Sequence, residues 1–183
     1  MANSCLSDYT LKGIGFDCNA NLAGIKKVYL TYFDDVTVTS AQTVMSAHTI
    51  TGITLSSGVT FYEYEFARNT SSLNSVLTKD DANGTRYYTN TIELVFNKLT
   101  AAKHLEVMAL AAERLAALVV DNNNKVWFLG FDGYISGVNT EAGTGASADD
   151  RNGYTVTIEG TSAYLPFEYT GEINFTPAPT TNE

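Results

Sequence analysis

Two histidines and two cysteines are the side chains in this sequence best suited to act as a base near neutral pH, a thiolate metal ligand or a thiol nucleophile. Nucleophilic catalysis needs a Ser or Cys held against a His whose ring a third group orients. His48 lies in a Thr-rich extended stretch and His104 near the start of a helical pattern, and neither has such a neighbour in sequence. Cys5 and Cys18 are too few for a closed zinc site of the Cys type or for a disulfide framework. They can form at most one bridge, and two reduced thiols is the reading adopted.

The carboxylate-rich loops fare no better as metal sites. A calcium loop of the EF-hand type opens on Asp and closes on Glu at its twelfth position. "KDDANG" puts Lys79 at the first of these positions and Asn90 at the last, and "DDRNG" puts Arg151 where a ligand is needed. Both read as turns. The glycines of "GTGAS" do not join a strand to a helix, as a phosphate cradle would require. The expectation is a protein that is not an enzyme, with no catalytic residue, no metal and no cofactor.

What remains is spread along strands. Glu63, Glu65, Glu93, Glu159, Glu168 and Glu172 all alternate with aromatic or aliphatic residues, so each falls on the polar face of a half-buried strand. Thr fills most of the intervening polar positions. Two readings stand side by side: an ordinary solvated sheet face, or a face of one charge sign that repels polyanions in a confined channel.

The elements that must hold these residues are mostly strands. "KKVYLTYF" and "VTVTS" are separated by a turn at "DD", and "GVTFYEYEFAR" and "TRYYTNTIELVFNK" form a strand pair around a long polar loop, 69–84, that closes in an Asn-Gly turn. One helix is expected in "TAAKHLEVMALAAERLAALVV", with Thr100 as N-cap and Leu105, Met108, Ala112, Leu115 and Val119 as its buried stripe, ended by "DNNN". "KVWFLGF" is apolar on both faces and suits a covered central strand. A loop over 139–152 leads into the strand "GYTVTIEG", and "PFEYTGEINF" is the last strand.

The domain reading is an extended arm over 1–24, one β-rich domain over 25–176 and a flexible tail over 177–183. The fold class is mainly β: a β-sandwich or open barrel with one α-helix packed on its side. With 183 residues the chain can bury a sizeable core, and 20 acidic against 11 basic residues, a net charge of -9, argue against a phosphate-neutralising surface. "MANSCLSDYT" has no basic region followed by an apolar core, so a soluble chain made in a cytoplasm is expected.

From residue 91 to 160 a strand, a helix, "VWFLGFDGYISG", "GTGASADDRNGY" and a closing strand follow one another. This order resembles the major tail tube proteins of long-tailed bacteriophages and, more distantly, the tube proteins of contractile injection systems. The likeness is one of elements and glycines and covers about two thirds of the chain. It implies hexameric rings whose strands join across neighbours into one inner barrel, stacked into a tail tube with an electronegative lumen through which DNA passes without specific binding. It implies a virion protein assembled in the host bacterial cytoplasm. Its partners would be further copies of itself, a tape-measure protein and a tail terminator, with no membrane anchor. Glu63, Glu65, Glu93 and Glu159 are then candidates to face the lumen. Asn69, Lys79, Asp80 and Asp81 in one loop, and Glu141, Asp149, Asp150 and Arg151 in the other, are candidates for contacts between subunits. The alternatives are a monomeric β-sandwich binding module, such as an adhesin or carbohydrate-binding domain, or another virion part such as a tail terminator, baseplate ring or head decoration protein.

Overall fold

The computed structural model describes residues 12–42 and 48–179. In chain order the elements are β1 (Ile25–Tyr32), β2 (Val36–Gln42), β3 (Thr49–Leu55), β4 (Phe61–Tyr64), β5 (Ser72–Asp80), β6 (Thr85–Asn97), α1 (Ala101–Ala112), β7 (Leu115–Asp121), β8 (Val126–Leu129), β9 (Ser136–Gly143), β10 (Gly153–Ser162), β11 (Phe167–Tyr169) and β12 (Phe175–Thr176). They form an eight-stranded sheet in the order β12-β4-β1-β7-β8-β11-β3-β2 and a four-stranded sheet in the order β5-β6-β10-β9. The class is the expected one: mainly β, an open and curled sandwich with a single α-helix among the described residues.

The centre of the large sheet is covered on both sides, and this dictates its shape. Val28, Leu30, Ala117, Val119 and Leu129 face the small sheet and pack against Ile92, Leu94, Tyr154, Val156 and Ile158. The intervening residues Tyr29, Ala116, Leu118 and Phe128 face the other way, against Ile50, Phe61, Phe167 and Tyr169 of the same large sheet. The large sheet therefore curls around a core of its own while its outer side carries the small sheet. This is why β1, β7 and β8 read as near-continuous apolar runs, whereas β6 and β10 alternate.

Helix α1 is shorter than its sequence pattern suggests, and it turns a different side inward. Thr100 caps it by accepting a hydrogen bond from the Lys103 amide, at 3.3 Å. The helix stops at Ala112, and Glu113 has extended backbone angles. The next residues enter β7, where Leu115, Ala116, Ala117, Leu118 and Val119 are all buried. A helix with one apolar stripe cannot bury five consecutive residues; a central strand can. The helix buries Val107 and Leu110 instead, leaving Leu105 71% and Met108 67% exposed. Gly137 in β9 permits this packing, since a Cβ there would stand 2.9 Å from both the Ala111 Cα and the Leu110 carbonyl. The "DNNN" residues form the β7–β8 turn, with Asn124 at φ 62.

Other boundaries are corrected too. The long loop 69–84 is largely β5, which pairs with β6 from Ser72↔Glu93 to Asp80↔Thr85. The loop 139–152 is strand up to Gly143, paired with β10. β4 belongs to the large sheet beside β1, so it is no partner of β6. The expected last strand divides into β11 and β12, and Gly171 lies in the break between them. The beginning of the tail is held: the Ala178 amide donates to Glu63. The arm residues 12–23 contain no strand, and Cys5, Leu11 and 43–47 lie outside the described residues.

Candidate functional site: a polar sheet face between two open edges

The small sheet is buried on one side and open on the other, and register fixes what the open side carries. Glu93 of β6 stands opposite Ser72 on β5 and Thr157 on β10, and Thr157 stands opposite Asn139 on β9. One step along, Glu159 stands opposite Thr91 and Ser136. Thr155 faces Glu141 across the β10–β9 pair. Three carboxylates, Glu93, Glu141 and Glu159, thus share one face with Ser, Thr and Asn and with Val95, which lies opposite Thr155 and is only 5% exposed. The Thr91 hydroxyl donates to Glu159 at 3.4 Å, and Arg151 reaches the rim of the face, donating to Thr155 Oγ1 at 2.5 Å.

The other predicted carboxylates are elsewhere. Glu63 lies on β4, on the buried side next to Phe61, and is only 8% exposed. The Lys27 ammonium donates to it at 2.5 Å, the Ala178 amide at 3.3 Å and the Tyr29 hydroxyl at 3.4 Å. Burial pushes the Glu63 carboxyl up, but these donors and the Lys27 charge outweigh it and hold the group below its ordinary value. Its hydrogen bond to Glu63 in turn raises the Lys27 ammonium. Glu65 is exposed and 3.7 Å from the same ammonium. Glu168 is ion-paired with Lys125. Glu63 and Glu65 are therefore parts of a latch on the large sheet, off the face that carries Glu93 and Glu159.

The residues expected in contact loops sit at strand ends and turns. Asn69, at φ 63, lies in the turn before β5. Asp80 closes the β5–β6 hairpin by accepting from the amides of Asn83 and Ala82, which hold its carboxyl below the ordinary range. Asp81 pairs with Lys79 at 2.6 Å. In the β9–β10 connection Asp150 accepts from the Ser147 and Ala146 amides, both at 2.8 Å, and its carboxyl is lowered for that reason. Asp149 and Arg151 are exposed beside it.

The feature that the sequence reading missed is the pair of edges. Among the described residues β5 pairs only with β6, and β9 only with β10. These edges are nine and eight residues long, and both carry exposed apolar residues: Val76 at 61%, Leu77 at 47% and Val138 at 57%. Long edges without proline are templates for pairing with another chain, although β9 is interrupted by a bulge at Val138. The apolar residues Leu73, Val76 and Leu77 among polar neighbours ahead of "DANG" were the available, weak signal for β5.

The histidines have structural partners. His48 stacks on Phe167 with ring centroids 4.1 Å apart, and His104 meets Tyr154 edge-on. Among the described residues no cluster of His, Cys, Asp and Glu is arranged to hold a metal ion, and no helix is long and apolar enough to cross a membrane. Comparison of the chain with protein-family models, with curated proteins and with solved structures finds no match.

Proposed function

We propose that this protein is a self-assembling structural subunit. In this reading β5 of one copy pairs with β9 of the next, and the small sheets close into a barrel lined by the Glu93, Glu141 and Glu159 face. The observation that carries it is the small sheet itself: two long open edges of matched length, flanking a polar face that bears carboxylates. Because β5, β6, β10 and β9 are successively antiparallel, the two edges run in opposite directions. A β5–β9 seam between copies then continues the alternation. Such a contact is head-to-tail, and it removes both edges of the small sheet when the ring closes.

Closed barrels of about 16 strands or more leave an aqueous channel. Each copy would contribute four strands, so a ring of at least four copies encloses water. Carboxylates on the wall of such a channel repel a polyanion and limit its sticking. This is the chemistry of a conduit for DNA, and it agrees with the resemblance to phage tail tube proteins, which implies hexameric rings stacked into a tail.

A pair of single substitutions tests the seam. Successive amides on an edge strand point alternately toward the partner strand and away from it. Of Val76→Pro and Leu77→Pro, one therefore removes a β5–β6 bond and lowers monomer stability, while the other removes an outward amide only. The second variant should remain folded by circular dichroism and lose assembly. Assembly at parental level in both variants would refute the seam.

A further inference from the structure

Helix α1 has an outer surface that is the reverse of an ordinary exposed helix. Its polar side chains are used within the subunit: Lys103 Nζ donates to the Asn97 carbonyl at 2.6 Å, His104 Nδ1 lies 2.9 Å from the Thr100 carbonyl, and Glu106 accepts from the Tyr64 hydroxyl. Val107 and Leu110 face the core. Ala101, Leu105, Met108 and Ala112 form one exposed apolar stripe at steps of four, three and four, with exposed His104 and Glu106 beside it. An exposed helix normally places charge there.

A second uncovered apolar feature belongs to the same chain. The N-terminal arm leaves the domain at the β7–β8 turn, where Asn123 accepts from the Leu22 amide and Asn122 donates to the Ala23 carbonyl. Farther out, Ile14 and Phe16 are 103% and 92% exposed, as open as in an isolated peptide. Two residues apart in an extended segment are about 6.6 Å apart. Helix side chains three apart have Cβ atoms about 5–6 Å apart, so Ile14 and Phe16 match the spacing of Leu105 and Met108.

We infer that the arm of one copy lies across the α1 stripe of a neighbouring copy, with Ile14 and Phe16 covering Leu105 and Met108. The occupant is a second copy because every chain supplies both halves, and because a stripe without charge offers nothing to a charged partner. In the single subunit the arm leaves its own helix bare. Helix α1 also packs against β9, where its Ala111 backbone approaches Gly137, so the stripe borders an edge assigned to assembly. The inference rests on the ring reading only for placing a neighbour beside β9.

Cys18, exposed two residues beyond Phe16, supplies the probe. One preparation carries Cys5→Ser and keeps Cys18. A second, made distinguishable by a size tag, carries Cys5→Ser, Cys18→Ser and Ala109→Cys. The two are mixed under assembly conditions and treated with a short bismaleimide, with particle mass followed in parallel. The expected product is a crosslink between the two preparations, reduced about tenfold or more by Ile14→Asp with Phe16→Asp in the first, equivalent to at least ~1.4 kcal/mol. Absence of that product, or its persistence in the Asp variant, would overturn the contact. Rings without the crosslink remove the arm contact alone. The crosslink without rings supports the arm contact and removes the ring reading.

Discussion

Glu93 and Glu159 stand on adjacent strands of one open sheet face, Glu93 opposite Thr157 and Glu159 two residues farther along β10, opposite Thr91. Neither side chain enters the core, so their charge is separable from folding. Exchanging both for lysine should leave the circular dichroism spectrum unchanged and stability within about 0.5 kcal/mol. In assembled particles the same change replaces repulsion of a polyanion by attraction, and slower DNA passage is expected. DNA release at the parental rate would remove the channel role of this face.

Glu63 and Lys27 make a different kind of contact, one that ties the C-terminal segment to β4 through the Ala178 amide. The Glu63 carboxyl is held below its ordinary value of 4.5, so the stability it lends is present above that pH and is lost as pH falls through the lower folded value. Lys27 is raised above its ordinary 10.5, so its share is present below that pH and lost as pH rises through the folded value. Because the Lys27 side chain is 38% exposed, the pair is screened. Glu63→Gln should cost about 1 kcal/mol near neutral pH, roughly 2–4 °C in Tm. The difference between parent and variant should shrink below about pH 4. A gap that widens on acidification would show that Glu63 is not held as a carboxylate.

The inward side of α1 is measurable by a pair of truncations. Leu110→Ala removes a buried side chain and should cost about 2–4 kcal/mol, whereas Leu105→Ala should stay within about 0.5 kcal/mol in the free subunit. Equal losses in denaturant unfolding would mean that the stripe through Leu105 and Met108 is the buried one after all.

That stripe also shows where sequence reasoning reached its limit. The alternation in β6 and β10 was legible because each strand has one wet and one dry face, so Ile92, Leu94, Val156 and Ile158 announced themselves by period alone. The segment from Leu115 to Val119 was not, because a strand covered on both sides has no period and can be read as the continuation of an Ala- and Leu-rich helix. Propensity favoured the helix, and tertiary burial on both faces decided otherwise. The same ambiguity in reverse hid β5 and β9. An edge strand with little burial alternates weakly, so Asn74, Ser75 and Asn139 looked like loop. Glu93 and Glu159 were found by pattern. Glu63 was assigned to the wrong environment because β4 has apolar neighbours on both sides, and a carboxylate on its inner side is tolerated through Lys27, Tyr29 and the Ala178 amide. Glu141 was expected in a contact loop, and its place beside Thr155 follows from a strand that the sequence concealed.

Particle mass in solution tests the central claim most directly. Native mass spectrometry, with light scattering over a concentration series up to the solubility limit, should give a closed ring of identical copies or stacks of such rings. The outward-amide proline variant of β5 should return the mass of a single chain. A monomer at every concentration, or a twofold dimer that does not grow, would contradict assembly through the β5 and β9 edges.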